Sequence, residues 1–99
     1  MNSENYILSQ LLFLYQTRAM LPRIKSQWFE EKLNKRIIEA MLEMYINNEP
    51  IDVLTLAKHF DRQEMIYIVR LTQDVYGIPN ISSHLPELEY KYLKKEFFE

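Results

Sequence analysis

One glycine, Gly77, stands in 99 residues. Glycine supplies the positive φ angles that tight hairpins and phosphate-cradling loops need. A chain with a single one has little access to either. A GxxxxGK[ST] loop and a GxGxxG turn each need more than one glycine, so both are excluded. No nucleotide-binding loop and no nucleotide cofactor are expected. What the chain has in abundance is Leu, Ile, Glu and Lys, within a hydrophobic content of 47%. Leu, Glu and Lys lose little on entering a helix, and their abundance beside a single glycine predicts an all-α fold.

The length suits one domain, residues 1–99, around one core. A chain of this size buries about 65% of its unfolded surface, enough to fold alone. The net charge of −2 argues against the whole chain acting as a basic clamp on phosphates. The absence of cysteine excludes a disulfide framework, a thiolate zinc site and a cysteine nucleophile, and it fits a cytoplasmic protein. The start, MNSENYILSQLLFLY, lacks a basic leader and its apolar run is broken by Ser9 and Gln10, which is poor for a signal peptide. No apolar run approaches the roughly 18 residues of a membrane span.

Apolar spacing and end signals divide the chain into about six helices. Ser3 opens a first helix to about Thr17, with Ile7, Leu8, Leu11, Leu14 and Tyr15 on one face and Tyr6 and Phe13 on the far side. Tyr6 and Phe13 then either lie under a loop or meet another subunit. Pro22 breaks the next stretch into a short helical piece and a loop, and Trp28 and Phe29 anchor that loop in the core. A central helix is expected from Glu30 to Asn47, because Leu33, Ile37, Ile38, Ala40, Met41, Leu42, Met44 and Tyr45 span a wide arc. Asn47-Asn48 supplies a left-handed cap and Pro50 ends the helix. Asp52 caps a short helix to Phe60 that buries Val53, Leu56, Ala57 and Phe60. Asp61 caps the next, with Glu64 completing a capping box. Met65, Ile68, Val69, Thr72, Val75 and Tyr76 line one side of that helix, and Gly77 and Pro79 end it.

The last helix starts at Ser82 or Ser83 with Pro86 in its first turn. It carries two apolar stripes. Ile81, Leu85, Leu88 and Tyr92 make one, and Tyr90, Leu93 and Phe97 make another, displaced by more than a quarter turn. A terminal helix of a small domain rarely needs both, so the second is a candidate for contact with a partner. The chain reaches KKEFFE still within the helical pattern, as a longer or a cut polypeptide would.

Catalytic chemistry is not visible. His59 and His84 are far apart and outside any ligand spacing, so no metal site is expected. The carboxylates alternate with Lys and Arg on helices, as Glu87 and Lys91 do. No serine lies in GxSxG. Catalytic, metal and nucleotide-binding residues are therefore none, and an enzyme is not expected. The run from Val53 to Leu71 scans as a helix-turn-helix in which Arg62, Gln63, Tyr67, Arg70, Gln73 and Asp74 face outward. Asp61, Glu64 and Asp74 would repel phosphate, and the turn lacks the glycine often found there.

RIIEAMLEMYINNEPIDVLTLAKHF, residues 36–60, resembles the N-terminal (collar) domain of DnaB-type replicative DNA helicases. Ile37, Ile38, Ala40, Met41, Pro50, Ile51, Asp52, Val53, Thr55 and Leu56 fall on the family pattern. ENYILSQLL is similar to its first helix, Phe29 to its aromatic residue before the central helix, and IYIVRLTQDVYGIPNI to its following segment. DRQEM stands where the family often carries a Gly-Gly turn. The resemblance implies a non-catalytic helical bundle whose last helix opens a helical hairpin. It also implies self-association in a ring collar and docking of the helicase-binding domain of primase, with helicase loaders as further partners. Direct DNA binding would be weak or absent, and ATP hydrolysis would belong to a domain outside these residues. Tyr90, Leu93 and Phe97, with Tyr6 and Phe13, are then the candidate interaction residues. The competing readings are a small helix-turn-helix DNA-binding regulator and a stand-alone mimic of a helicase loader or inhibitor.

Overall fold

The computed structural model describes residues 3–13, 15–73 and 81–98. Helix α1 (Ser3–Phe13) leads into a 3-10 segment, Tyr15–Arg23, and a short 3-10 turn, Ser26–Trp28. Helices α2 (Lys32–Ile46), α3 (Val53–Leu56), α4 (Arg62–Thr72) and α5 (Ile81–Phe97) follow. No strand occurs among the described residues. The expected all-α bundle is present, with part of its helical content in 3-10 form. The expected stop at Gly77 and Pro79, and the core positions Val75 and Tyr76, lie outside the described residues.

The hub of the bundle is α1 rather than α2. It packs against α2, α4, α5 and the first 3-10 segment, and every residue from Ile7 to Leu12 is buried. Ser9 and Gln10 make α1 look two-sided in the sequence. Both are buried because each bonds back along its own helix: Ser9 Oγ donates to the Asn5 carbonyl at 2.6 Å and Gln10 Nε2 to the Tyr6 hydroxyl at 2.9 Å. A buried polar group whose hydrogen bond is made costs little. Around α1 lie Ile37, Ile38, Met41 and Met44 of α2, Leu56, Ile68 of α4 and Leu88 of α5, all buried. Trp28 and Phe29 anchor the loop before α2 in this core, as expected.

Helix α1 ends at Phe13, earlier than the apolar pattern suggests, because side chains take over its last carbonyls. Thr17 Oγ1 donates to the Gln10 carbonyl at 2.9 Å. The Arg18 guanidinium donates to those of Leu11 and Leu12, each at 3.2 Å. A cation at the C-terminus also complements the helix dipole.

The other ends follow local chemistry. Asn48 takes φ 57°, a conformation that Asn tolerates better than most residues. It lets Glu49 N–H reach the Met44 carbonyl at 2.9 Å and Asn48 N–H the Tyr45 carbonyl at 3.2 Å, which is a Schellman ending. Asp52 accepts from Thr55 N–H at 2.8 Å, and Thr55 Oγ1 accepts from Asp52 N–H at 3.0 Å. Asp61 and Glu64 make the same reciprocal pair at 2.8 and 3.0 Å. Helix α3 stops after Leu56, so its expected buried face is not completed: Leu56 is buried, Val53 and Phe60 only partly, and Ala57 is exposed.

Candidate protein-interaction surface

Helix α5 is fastened along its first half, where Ile81, Leu85 and Leu88 are buried; of the second half, Tyr92 packs against the core edge. The His84 ring lies against the Tyr6 ring of α1, with centroids 4.3 Å apart and planes tilted by 32°. Its Nδ1 shares a hydrogen bond of 3.2 Å with Ser3 Oγ and lies 3.9 Å from Glu87 Oε2. Pro86 sits in the second turn rather than the first, since α5 begins at Ile81. Pro86 and Ser82 both face solvent, where water can serve the carbonyl that proline leaves without a donor.

Beyond Leu88, no described residue of α5 is buried. Yet this half is rich in large apolar side chains: Tyr90 is 65% exposed, Leu93 39%, Phe97 71% and Phe98 81%. The spacing of Tyr90, Leu93 and Phe97 puts them on one stripe. Ser3 and Glu4, in the first turn of α1, line one cleft with Leu88 and Lys91, and Lys95 Nζ lies 3.9 Å from Glu30 Oε1. The bare half of α5 therefore runs out past the start of α1. Phe13, exposed at the other end of α1, stands apart from the stripe. Tyr6 is turned inward onto His84 and accepts from Gln10, so its surface serves the fold. Ile46, Leu54 and Phe98 are also exposed apolar residues.

Near the starts of α1 and α2, beside Lys95 of α5, the molecule is polar. Asn34 of α2 is buried; its Nδ2 donates to Glu4 Oε1 at 3.1 Å and to Asn5 Oδ1 at 3.0 Å. The Tyr67 hydroxyl donates to Asn34 Oδ1 at 2.6 Å and also contacts Asn5 Oδ1 at 3.0 Å. Tyr67 thus points into the bundle and not outward, against its place among the DNA-facing candidates. Burial pushes its phenol above the ordinary tyrosine range, with Glu31 and Glu4 adding to the rise and the Asn34 bond opposing it. Glu4 also accepts from the backbone N–H of Glu30 at 2.9 Å and Glu31 at 3.4 Å. Since α2 has no side-chain cap of its own, Glu4 supplies one from α1.

Arg36 of α2 pairs with Glu64 of α4 and lies 5.3 Å over the Phe60 ring. The Arg36 guanidinium, helped by the Asp61 N–H, holds the Glu64 carboxyl below its usual range. These contacts tie α2, α4 and the α3–α4 turn together.

The remaining geometry of the described residues offers surface clefts. A cleft of about 620 Å³ is lined by Arg18, Ala19, Tyr45, Asn48, Glu49, Pro50 and Ile51, but Arg18 is committed to α1. Among the described residues, no group of three or more His, Asp or Glu is placed to hold a metal ion. No described helix is long and apolar enough to cross a membrane. The family model for the DnaB-like helicase N terminal domain matches residues 1–89, a span that stops where the bare half of α5 begins. No curated protein and no solved structure matches significantly. The helical bundle and the matched span together give the conclusion that this chain belongs to the DnaB-like helicase N-terminal domain family.

Proposed function

We propose that this domain works by docking: it self-associates within a replicative helicase and presents a surface to the helicase-binding domain of primase. The observation that carries this reading is the second half of α5, where Tyr90, Leu93 and Phe97 stand exposed, with Phe98 just beyond, on a helix whose first half is firmly packed. Covering such side chains would contribute on the order of a few kcal/mol. Ordering two bodies consumes much of that, so the isolated domain associates weakly and gains from being held in a larger assembly. Helicase loaders would use the same kind of surface, and ATP-driven strand separation would reside elsewhere in the protein that carries this domain. The helix-turn-helix alternative loses support from Tyr67, whose side chain is engaged with Asn34 and Asn5.

The test is solution mass by sedimentation, with and without a primase helicase-binding domain. Tyr90→Ala combined with Phe97→Ala should lower association and primase binding while leaving the helical circular dichroism unchanged. Loss of global folding in that double variant would make the stripe part of the core and end this reading. Tight, salt-sensitive binding of the wild type to one duplex sequence would favour a DNA-binding regulator instead.

A further inference from the structure

The outer face of α4 has a pattern of its own. Arg62, Ile66, Val69, Arg70 and Gln73 line one open groove of about 400 Å³ together with half-buried Met65. They recur at three- and four-residue spacing and so share one side of the helix. Ile66 and Val69 are exposed in the middle of it. Neither Arg62 nor Arg70 has an ion-pair partner among the described residues. Glu64 is turned away to Arg36, and Asp74 lies outside the described residues.

The bare half of α5 carries the opposite charge around a similar centre. Tyr90, Leu93 and Phe97 are exposed, with Glu89 and Glu96 along one flank. These two glutamates also lack an ion-pair partner among the described residues. Lys94, on the other flank, is engaged within its own chain. Arg62 to Arg70 spans about 12 Å of helix and Glu89 to Glu96 about 10 Å, at the usual rise per residue.

We propose that the α4 face of Arg62, Ile66, Val69 and Arg70 is the seat for the α5 face of Glu89, Tyr90, Leu93, Glu96 and Phe97 on a second copy of this chain. The proposal rests on the self-association reading above and names its counterpart surface. Charge selects unlike faces. Two α5 faces brought together antiparallel would set Glu89 of each copy against Glu96 of the other, and two α4 faces would crowd four arginines. Both helices pack on α1 with these faces outward. A pair joined by one such contact retains a free α4 face and a free α5 face. The contact is heterologous, and growth by it continues until the set closes on itself.

Charge exchange tests this with the full chain. Arg62→Glu with Arg70→Glu should weaken self-association about tenfold or more, and so should Glu89→Arg with Glu96→Arg, each with unchanged helicity. An equimolar mixture of the two double variants should regain mass, as should one chain carrying all four changes. Failure of either restoration would overturn the proposal. If reversing α4 leaves association intact while Tyr90→Ala with Phe97→Ala lowers it, the seat is elsewhere and the self-association reading stands. A wild type that remains monomeric at millimolar concentration, at low salt, overturns both.

Discussion

The two halves of α5 are made of similar material and have opposite fates. From Ile81 to Leu88 the helix buries Ile81, Leu85 and Leu88 against α1 and the turn at Ser26–Trp28. From Glu89 onward, Tyr90, Leu93, Phe97 and Phe98 are equally large and apolar, and they stand exposed. Periodicity tells which residues share a face of a helix. It does not tell whether the surface that receives them lies in the same chain. That difference separates residues that hold the domain together from residues that hold it to something else.

Substitution should divide α5 along the same line. Leu88→Ala is expected to have the largest effect, a loss of about 2–5 kcal/mol of stability, because it opens a cavity in packed core. Chemical denaturation would read this, and a loss below about 1 kcal/mol would mean the first half is held less firmly than its burial implies. Asn34→Ala comes next, at about 1–3 kcal/mol, since it strips the Tyr67 hydroxyl and Glu4 of a buried partner. Asp52→Ala should cost about 1 kcal/mol by removing a cap, and an unchanged melting temperature would count against that cap. Tyr90→Ala with Phe97→Ala should change stability by less than about 0.5 kcal/mol while reducing association. A stability loss comparable to that of Leu88→Ala would erase the distinction between the halves.

Acid titration adds a separate reading of the α2–α4 link. The Glu64 carboxyl is held below its ordinary range, first by Arg36 and then by the Asp61 N–H. Its contribution is complete above the ordinary carboxylate range and is lost as pH falls through the lowered one. Glu64→Gln should flatten that acid-side dependence of stability. An identical pH profile in the variant would show that the pairing has no consequence for folding.

Much of this fold could be read from the sequence wherever the chemistry is local. Asp52, Asp61 and Asn48 shape the chain through atoms a few residues away, and the two stripes of α5 follow from helical spacing alone. The seating of Trp28 and Phe29 was also foreseeable, from their size in a stretch that Pro22 keeps from becoming one long helix. What escaped notice depends on partners distant in the chain. Asn34 reads as one more polar residue of α2 until Asn5 and Tyr67 reach it from 29 and 33 positions away. Ser9 and Gln10 disguised the buried helix, so α2 looked central where α1 is. Of the candidate interaction residues, Tyr90, Leu93 and Phe97 form one exposed stripe, Phe13 stands apart, and Tyr6 is occupied by His84. Nothing in the spacing of α1 could have distinguished the last two, because the difference comes from where α5 lands.

Glu4 shows what such a distant contact means for assembly of the fold. The amides it receives, those of Glu30 and Glu31, follow it by 26 and 27 positions. During synthesis from the N-terminus, the carboxylate is already in the nascent chain before those amides are made. The start of α2 thus draws its anion from a segment made before it, and the order of translation matches the direction of that dependence.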